Sequence, residues 1–234
     1  MPHNETLEFV NREARERLYP SLRNPSYLVL SQRRRNFERW LTALPGSNLR
    51  VLDVGGRVQP YRPLLAGRVQ QYVAVDVAQS PLVTLRADAA GLPFPGNTFD
   101  LVFCTQVLEY VPEPGGAVRE IHRVLKPGGI ALFSFASFYP RAVDEEHWRF
   151  LPAGLRFVLR PFSGVSIIPE GSSISGFFRA CAVCFSMFAR YALPRRLVGL
   201  TIVPILNLSA LSLEKIARTD NDQATGNYSV WAQK

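Results

Sequence analysis

From Leu49 onward the chain alternates short β-branched apolar runs with stretches in which apolar residues recur every three or four positions. Continuous or period-two apolar runs read as strands, and a period near 3.6 reads as an amphipathic helix. Strands are predicted near 50–54, 72–76, 84–87, 101–104, 130–135, 165–169 and 228–232. Upstream, Tyr27, Leu30, Phe37, Leu41 and Leu44 fall on one face of a helix over 27–44, started by Asn24-Pro25-Ser26 and stopped by Pro45-Gly46. Strands separated by helical stretches call for a mostly parallel α/β sheet with helices on both faces. The first helix either packs plainly on that sheet or also covers a pocket at its edge.

Between the sixth and seventh strands lies a helical insertion at 174–219. It holds the run F-F-R-A-C-A-V-C-F-S-M-F-A-R-Y and then 17 uncharged residues at 197–213, interrupted by Pro204, Asn207, Ser209 and Ser212. A membrane-spanning helix needs about 20 predominantly apolar residues, so no span is expected here. Three readings stay open: a helical cap over the active site, an internal helical layer, or a membrane-surface element. In the last, the apolar face inserts while Arg179, Arg190, Arg195, Arg196 and Lys215 meet lipid headgroups.

At 234 residues the chain suits one α/β unit with a full core: an N-terminal helical segment at 1–48, then the main domain at 49–234. Its net charge is +8, with all but three of the 27 basic residues being Arg. No basic stripe interleaved with aromatics accompanies that excess, which argues against nucleic acid and favours an anionic membrane surface as a partner. Three cysteines and a polar start without an apolar signal core point to a reduced, cytoplasmic protein. Cys181 and Cys184 read as small core residues one helical turn apart; no second pair completes a zinc site, and no metal is expected.

The chemistry-bearing segments follow one another in order. V-L-D-V-G-G-R-V-Q-P-Y-R-P, from Val51 to Pro63, is a strand, a glycine turn and a helix expected to begin at Pro60. Asp76 closes the second strand, 23 residues beyond Asp53, where a carboxylate accepts both hydroxyls of a nucleoside ribose or else caps the next helix. L-R-A-D-A-A-G-L-P-F-P-G-N-T-F-D-L-V-F-C-T-Q-V-L-E-Y-V then leads into I-H-R-V-L-K-P-G-G-I-A-L-F-S-F. The third glycine of the dinucleotide-binding G-x-G-x-x-G pattern is missing. Lys126-Pro127-Gly128-Gly129 reads as a tight turn that sets the register of the fifth strand.

These segments resemble the class I S-adenosylmethionine (SAM) dependent methyltransferases, in their small-molecule, type 11-like branch, over about 49–150. The segment S-F-Y-P-R-A-V-D-E-E-H-W-R-F-L is similar to that of members found with surface-polysaccharide genes. The resemblance implies a Rossmann-like seven-stranded sheet whose last strand is antiparallel, and SAM as cofactor. It implies that Gly55 and Gly56 make the turn whose free N–H groups suit the methionine carboxylate, and that Asp53 receives the ammonium. Asp76 would hold the ribose, Asp88 with the Ala89 backbone the adenine, and Cys104 and Gln106 the methionine side. His147 is the candidate general base, or else a surface residue, since methyl transfer also proceeds on proximity and alignment alone. Two positions depart from the pattern: Arg57 replaces the second glycine, and Tyr110 stands where a histidine is usual. Arg57 would point away, bind the cofactor carboxylate, or block the pocket. The expected function is methyl transfer to a hydrophobic or lipid-linked small-molecule or saccharide acceptor, by a cytoplasmic protein peripheral to the inner membrane face. The alternative is a non-catalytic binding or scaffold protein whose site has decayed.

Overall fold

The computed structural model describes residues 6–140, 143–188, 192–217 and 219–234, without the side chains of 192–195. Seven strands form one sheet: β1 Leu49–Val54, β2 Val69–Asp76, β3 Leu85–Arg86, β4 Phe99–Thr105, β5 Leu125–Ala136, β6 Gly164–Pro169 and β7 Asn227–Gln233. Their order is β3-β2-β1-β4-β5-β7-β6. β1 pairs parallel with β2 and β4, while β7 runs antiparallel between β5 and β6. The expected Rossmann-like sheet with an antiparallel last strand is therefore what the chain builds.

Alternation along the strands decides the two faces. Leu49 and Val51 of β1 join Phe103, Leu132, Phe37 and Leu41 on the face covered by α2, Tyr27–Ala43. Leu52 and Val54 join Phe133, Val118 and Ile121 on the face covered by α3, Pro114–Val124, and α4, Pro152–Val158. On the first face Phe37 meets Tyr61 edge-on with ring centres 4.8 Å apart, a favourable arrangement of aromatic quadrupoles. α1, Leu7–Leu18, lies ahead of α2 and buries only Val10 and Leu18.

The helix expected at Pro60 is not formed: only a four-residue 3-10 turn, Arg62–Leu65, occupies this place. The reason is local. Pro63 lacks the N–H a continuing helix needs, and Ala66 and Gly67 turn left-handed at φ 37° and 75°. Lys126 to Gly129, expected as a tight turn ahead of the fifth strand, instead lie within β5 as an irregularity that shifts its register. Leu125 pairs with Phe99 but Ile130 already pairs with Leu101, and Gly128 has φ 76°.

The described part of the insertion is almost wholly helical: α5 Ser173–Phe188, α6 Ala192–Leu200 and α7 Ile202–Ala217. The expectation that this stretch is too short for a span needs correcting. Arg196–Ala217 runs 22 residues and contains an 18-residue stretch of mean hydropathy 1.7, enough by length and composition alone to cross a membrane. Pro204 does not break it because that proline falls in the first turn of α7, where its missing N–H is tolerated. Here, however, α7 is fastened to the protein. Val203, Asn207 and Ala210 are buried, and the Asn207 amide donates to the carbonyls of Leu22 and Asn24 at 2.8 and 3.1 Å.

Candidate active site

The strand order reverses between β1 and β4, and open α/β sheets bind ligands in the crevice outside the carboxyl ends at such a point. A cavity of about 690 Å³ opens there. Its first half is made by chain reversals after β1, β2 and β4 and by the turn that follows β3. Gly55 turns at φ 75°, and a Cβ on it would lie 2.2 Å from Val107 Cγ2, so two independent constraints demand glycine. The Gly55 and Gly56 amides both donate to Val75 O, at 2.8 and 3.1 Å, which pins the turn against β2. Asp76 lines the cavity with one oxygen committed to the Ala78 amide at 2.8 Å. Asp88 lines it beside Ala87 and Ala89, with one oxygen on the Ala90 amide at 2.9 Å. In both carboxylates the second oxygen remains for a ligand. Gln106 sits at φ 55° and donates its backbone amide to Ser134 O at 3.0 Å, which projects its side chain into the crevice. A glycine cradle and two half-used carboxylates at three adjacent strand ends fit an adenosine carrying an amino-acid tail.

The second half of the cavity is lined by Val29, Leu30 and Arg33 of α2, by Glu109, Tyr110 and Val111 after β4, by Tyr139 after β5, and by Arg179 of α5. Glu109 is 2% exposed. Its Oε1 accepts from the Ala136 amide and from Gln106 Nε2, at 3.3 Å for the latter, while Oε2 has no hydrogen-bond partner among the described residues. Burial pushes this carboxyl up to about 7, against the opposing pull of the Ala136 amide and the charges of Arg33 and Arg149. Arg33 is neutralised by a two-pronged bond to Glu170, 2.8 Å on each prong. A chain of amides ties the two halves: Gln106 Oε1 accepts from Asn227 Nδ2 at 3.1 Å, and Asn227 Oδ1 accepts from Arg179 Nη1 at 2.7 Å.

Of the residues singled out in the sequence, Gly55, Asp76, Asp88, Ala89 and Gln106 come together on the wall of this one cavity. Gly56 lies beneath it, where a Cβ would sit 2.8 Å from Asp53 O. Asp53 and Cys104 are also placed differently from the expectation. Asp53 faces the α2 side, bonded to Tyr72 OH at 2.6 Å, and burial raises its carboxyl to about 7. Cys104 is packed in the core below the cavity floor, its thiol pushed well up by burial. His147 is exposed and is not among the residues that line the cavity; its backbone amide donates to Glu109 O at 2.8 Å. Arg57 lines the cavity without filling it, its guanidinium 3.9 Å from Glu13 of α1. Its φ is not positive, so the glycine expected at this position is not needed for backbone freedom here; the left-handed residues of this loop are Gly55 and Gln59.

Arg33, Glu109, Tyr139 and Arg179 were not foreseen as site residues, and Arg179 had been read as a lipid-facing charge. Arg33 is 4% exposed and Arg179 5% exposed, both in the interior. A faint signal existed for Arg33 alone, which lies three residues from Leu30 and four from Phe37 on the apolar stripe of its helix. Arg190 and the Arg195 side chain lie outside the described residues.

A family model described as "Methyltransferase domain" matches residues 52–133. The chain is similar to the ubiquinone biosynthesis O-methyltransferase of Pseudomonas aeruginosa strain UCBPP-PA14, 29% identical over 193 residues that cover 81% of this chain and 70% of that protein. The corresponding enzyme of Azotobacter vinelandii is 34% identical over 103 residues, 43% of this chain and 40% of that one. Among solved structures, the [4+2]-cyclase SpnF superposes with a TM-score of 0.56 at 25% identity, covering 87% of this chain and 81% of that one. A SAM-dependent methyltransferase from Archaeoglobus fulgidus shares the fold with a TM-score of 0.55 at 15% identity, covering 94% and 97%.

Proposed function

We propose that this chain, a SAM-dependent methyltransferase of the class I fold, transfers its methyl group to a hydroxyl oxygen on a hydrophobic or lipid-linked acceptor. Bound SAM supplies an electrophilic methyl group on a sulfonium. Asp76 would hold the ribose and Asp88 with Ala89 the adenine, while the Gly55 turn admits the amino-acid tail. The observation that carries the finer reading is Glu109, a buried carboxyl on the wall between the two halves whose Oε2 has no partner among the described residues. As a carboxylate it takes the proton that the acceptor hydroxyl releases, a role for which a pKa near the working pH is favourable. His147, exposed outside the cavity, is not assigned this step.

Two observations support an apolar acceptor. Two relatives that align over 81% and 83% of this chain are named for ubiquinone biosynthesis. The cap formed by α5 and α7 also presents Phe177, Phe188, Ile205 and Ile216 outward, the second at 84% exposure, as a surface suited to a membrane. The protein would then work in the cytoplasm, peripheral to the inner membrane face. Incubating the purified chain with methyl-labelled SAM and a cell extract, then partitioning between organic and aqueous phases, tests this reading. Label is expected in the organic phase. Label confined to a water-soluble product overturns the apolar acceptor, and no transfer at all favours a binding or scaffold protein on the same fold.

A further inference from the structure

Arg179 stands three residues after Gly176, and Gly176 lets α5 press on the chain ahead of β7: a Cβ there would lie 1.7 Å from Ala224 O. This close seating carries the Arg179 guanidinium to the second half of the cavity, 5% exposed yet on its wall. A buried cation is costly unless a carboxylate or a full set of acceptors meets it. Arg33 has such a partner in Glu170, and Glu170 is further occupied by Ser229 Oγ at 2.7 Å.

Arg179 does not. Among the described residues it makes no ion pair; Nη1 donates to Asn227 Oδ1 at 2.7 Å and reaches Gly226 O at 3.5 Å, while Nε is buried without a partner. The Tyr139 ring covers one face of the guanidinium at 4.2 Å. Burial draws its pKa down to about 10, so the group is charged at neutral pH. With one face covered and one nitrogen fixed, the Nε edge of the fork is left for a pair of in-plane oxygens, which carboxylates and phosphates supply. Asn227 is itself held by Gln106, so the cation is fixed relative to the cofactor half.

We propose that Arg179 is an anion-binding residue of the acceptor subsite, and that the acceptor carries a carboxylate or phosphate group as well as the oxygen that is methylated. This deepens the methyltransferase reading and rests on it. The test titrates the full chain calorimetrically, with and without S-adenosylhomocysteine, using benzoate, phenyl phosphate, dodecyl phosphate and the neutral benzamide as probes. At least one anion is expected to bind ten or more times tighter than benzamide. Arg179→Gln should abolish that preference, and Arg179→Lys should keep part of it, because charge remains while the fork is lost. A benzoate preference identifies a carboxylate acceptor, a phenyl phosphate preference a soluble phosphate, and a dodecyl phosphate preference a lipid phosphate. Equal binding of anions and benzamide, or an anion preference unchanged in Arg179→Gln, overturns the proposal; intact binding of S-adenosylhomocysteine in the same experiment shows that the cofactor reading survives. If S-adenosylhomocysteine fails to bind, the methyltransferase reading falls, and the titrations without it still decide Arg179. Should Arg179→Gln fail to fold, an undiminished anion preference in Arg179→Lys overturns the role of the fork.

Discussion

Glu109 links stability to function at a single residue. Its carboxyl lies near 7 in the fold against an ordinary value of 4.5, so the folded protein keeps a proton that the unfolded chain releases between those limits. The stability contributed by the protonated form is complete below about 4.5 and is lost as pH rises through about 7. Glu109→Gln, which cannot ionise, should melt higher than the wild type at pH 8 and nearly with it at pH 4.5; a Tm difference independent of pH would contradict the buried titration. In the same variant methyl transfer should fall by roughly 10²-fold or more and lose the rise with pH centred near 7, as expected for a lost proton acceptor. Arg57 makes a second test. Because its backbone does not use the left-handed region, Arg57→Gly should leave SAM affinity unchanged or slightly improved, and a tenfold loss by calorimetry would reveal a direct contact worth about 1.4 kcal/mol.

Elements set what these residues can reach. The turn after β1 works because Gly55 tolerates φ 75° beside Val107, and the short 3-10 turn that follows takes the place of a full helix once Pro63 enters the chain. At the other end, α5 depends on Gly176. Gly176→Ala places a methyl group against the Ala224 carbonyl, so either the helix or the 224–226 segment must move. Overpacking of this kind costs about 1–3 kcal/mol. A urea midpoint lowered accordingly, together with weaker acceptor binding but retained cofactor binding, is the expected outcome; a variant as stable as the wild type would show that α5 sits less tightly than described.

For the whole molecule, the question is where the apolar face of α5 and α7 goes. A net charge of +8 and outward residues such as Phe188 and Ile216 favour reversible association with anionic vesicles. Flotation should carry the protein upward at low salt and less so as salt rises, the electrostatic share being screened over about 8 Å at physiological ionic strength. Changing Arg196 and Lys215 together to Glu should weaken it further. A wild-type protein that stays at the bottom of the gradient on strongly anionic vesicles would leave the insertion as an internal cap.

The sequence by itself determined the seven strands and most of the first half of the cavity, while the antiparallel end came from the resemblance its motifs carry. Those features rest on local periods and on short motifs: Gly55, Asp76, Asp88 and Gln106 all stand at or just beyond strand ends, which a parallel sheet gathers at one edge. Only the tertiary structure decided the rest. Asp53 turned to Tyr72 because strand alternation puts it on the α2 face, and the helix at Pro60 shrank to one turn. Arg179 read as a surface charge because arginine is rarely buried, and nothing nearby in sequence names Glu170, 137 residues from Arg33, or Asn227, 48 residues from Arg179, as a partner. Pairings at such separations follow from how helices seat on a sheet, and that packing, rather than any local pattern, made the second half of the cavity.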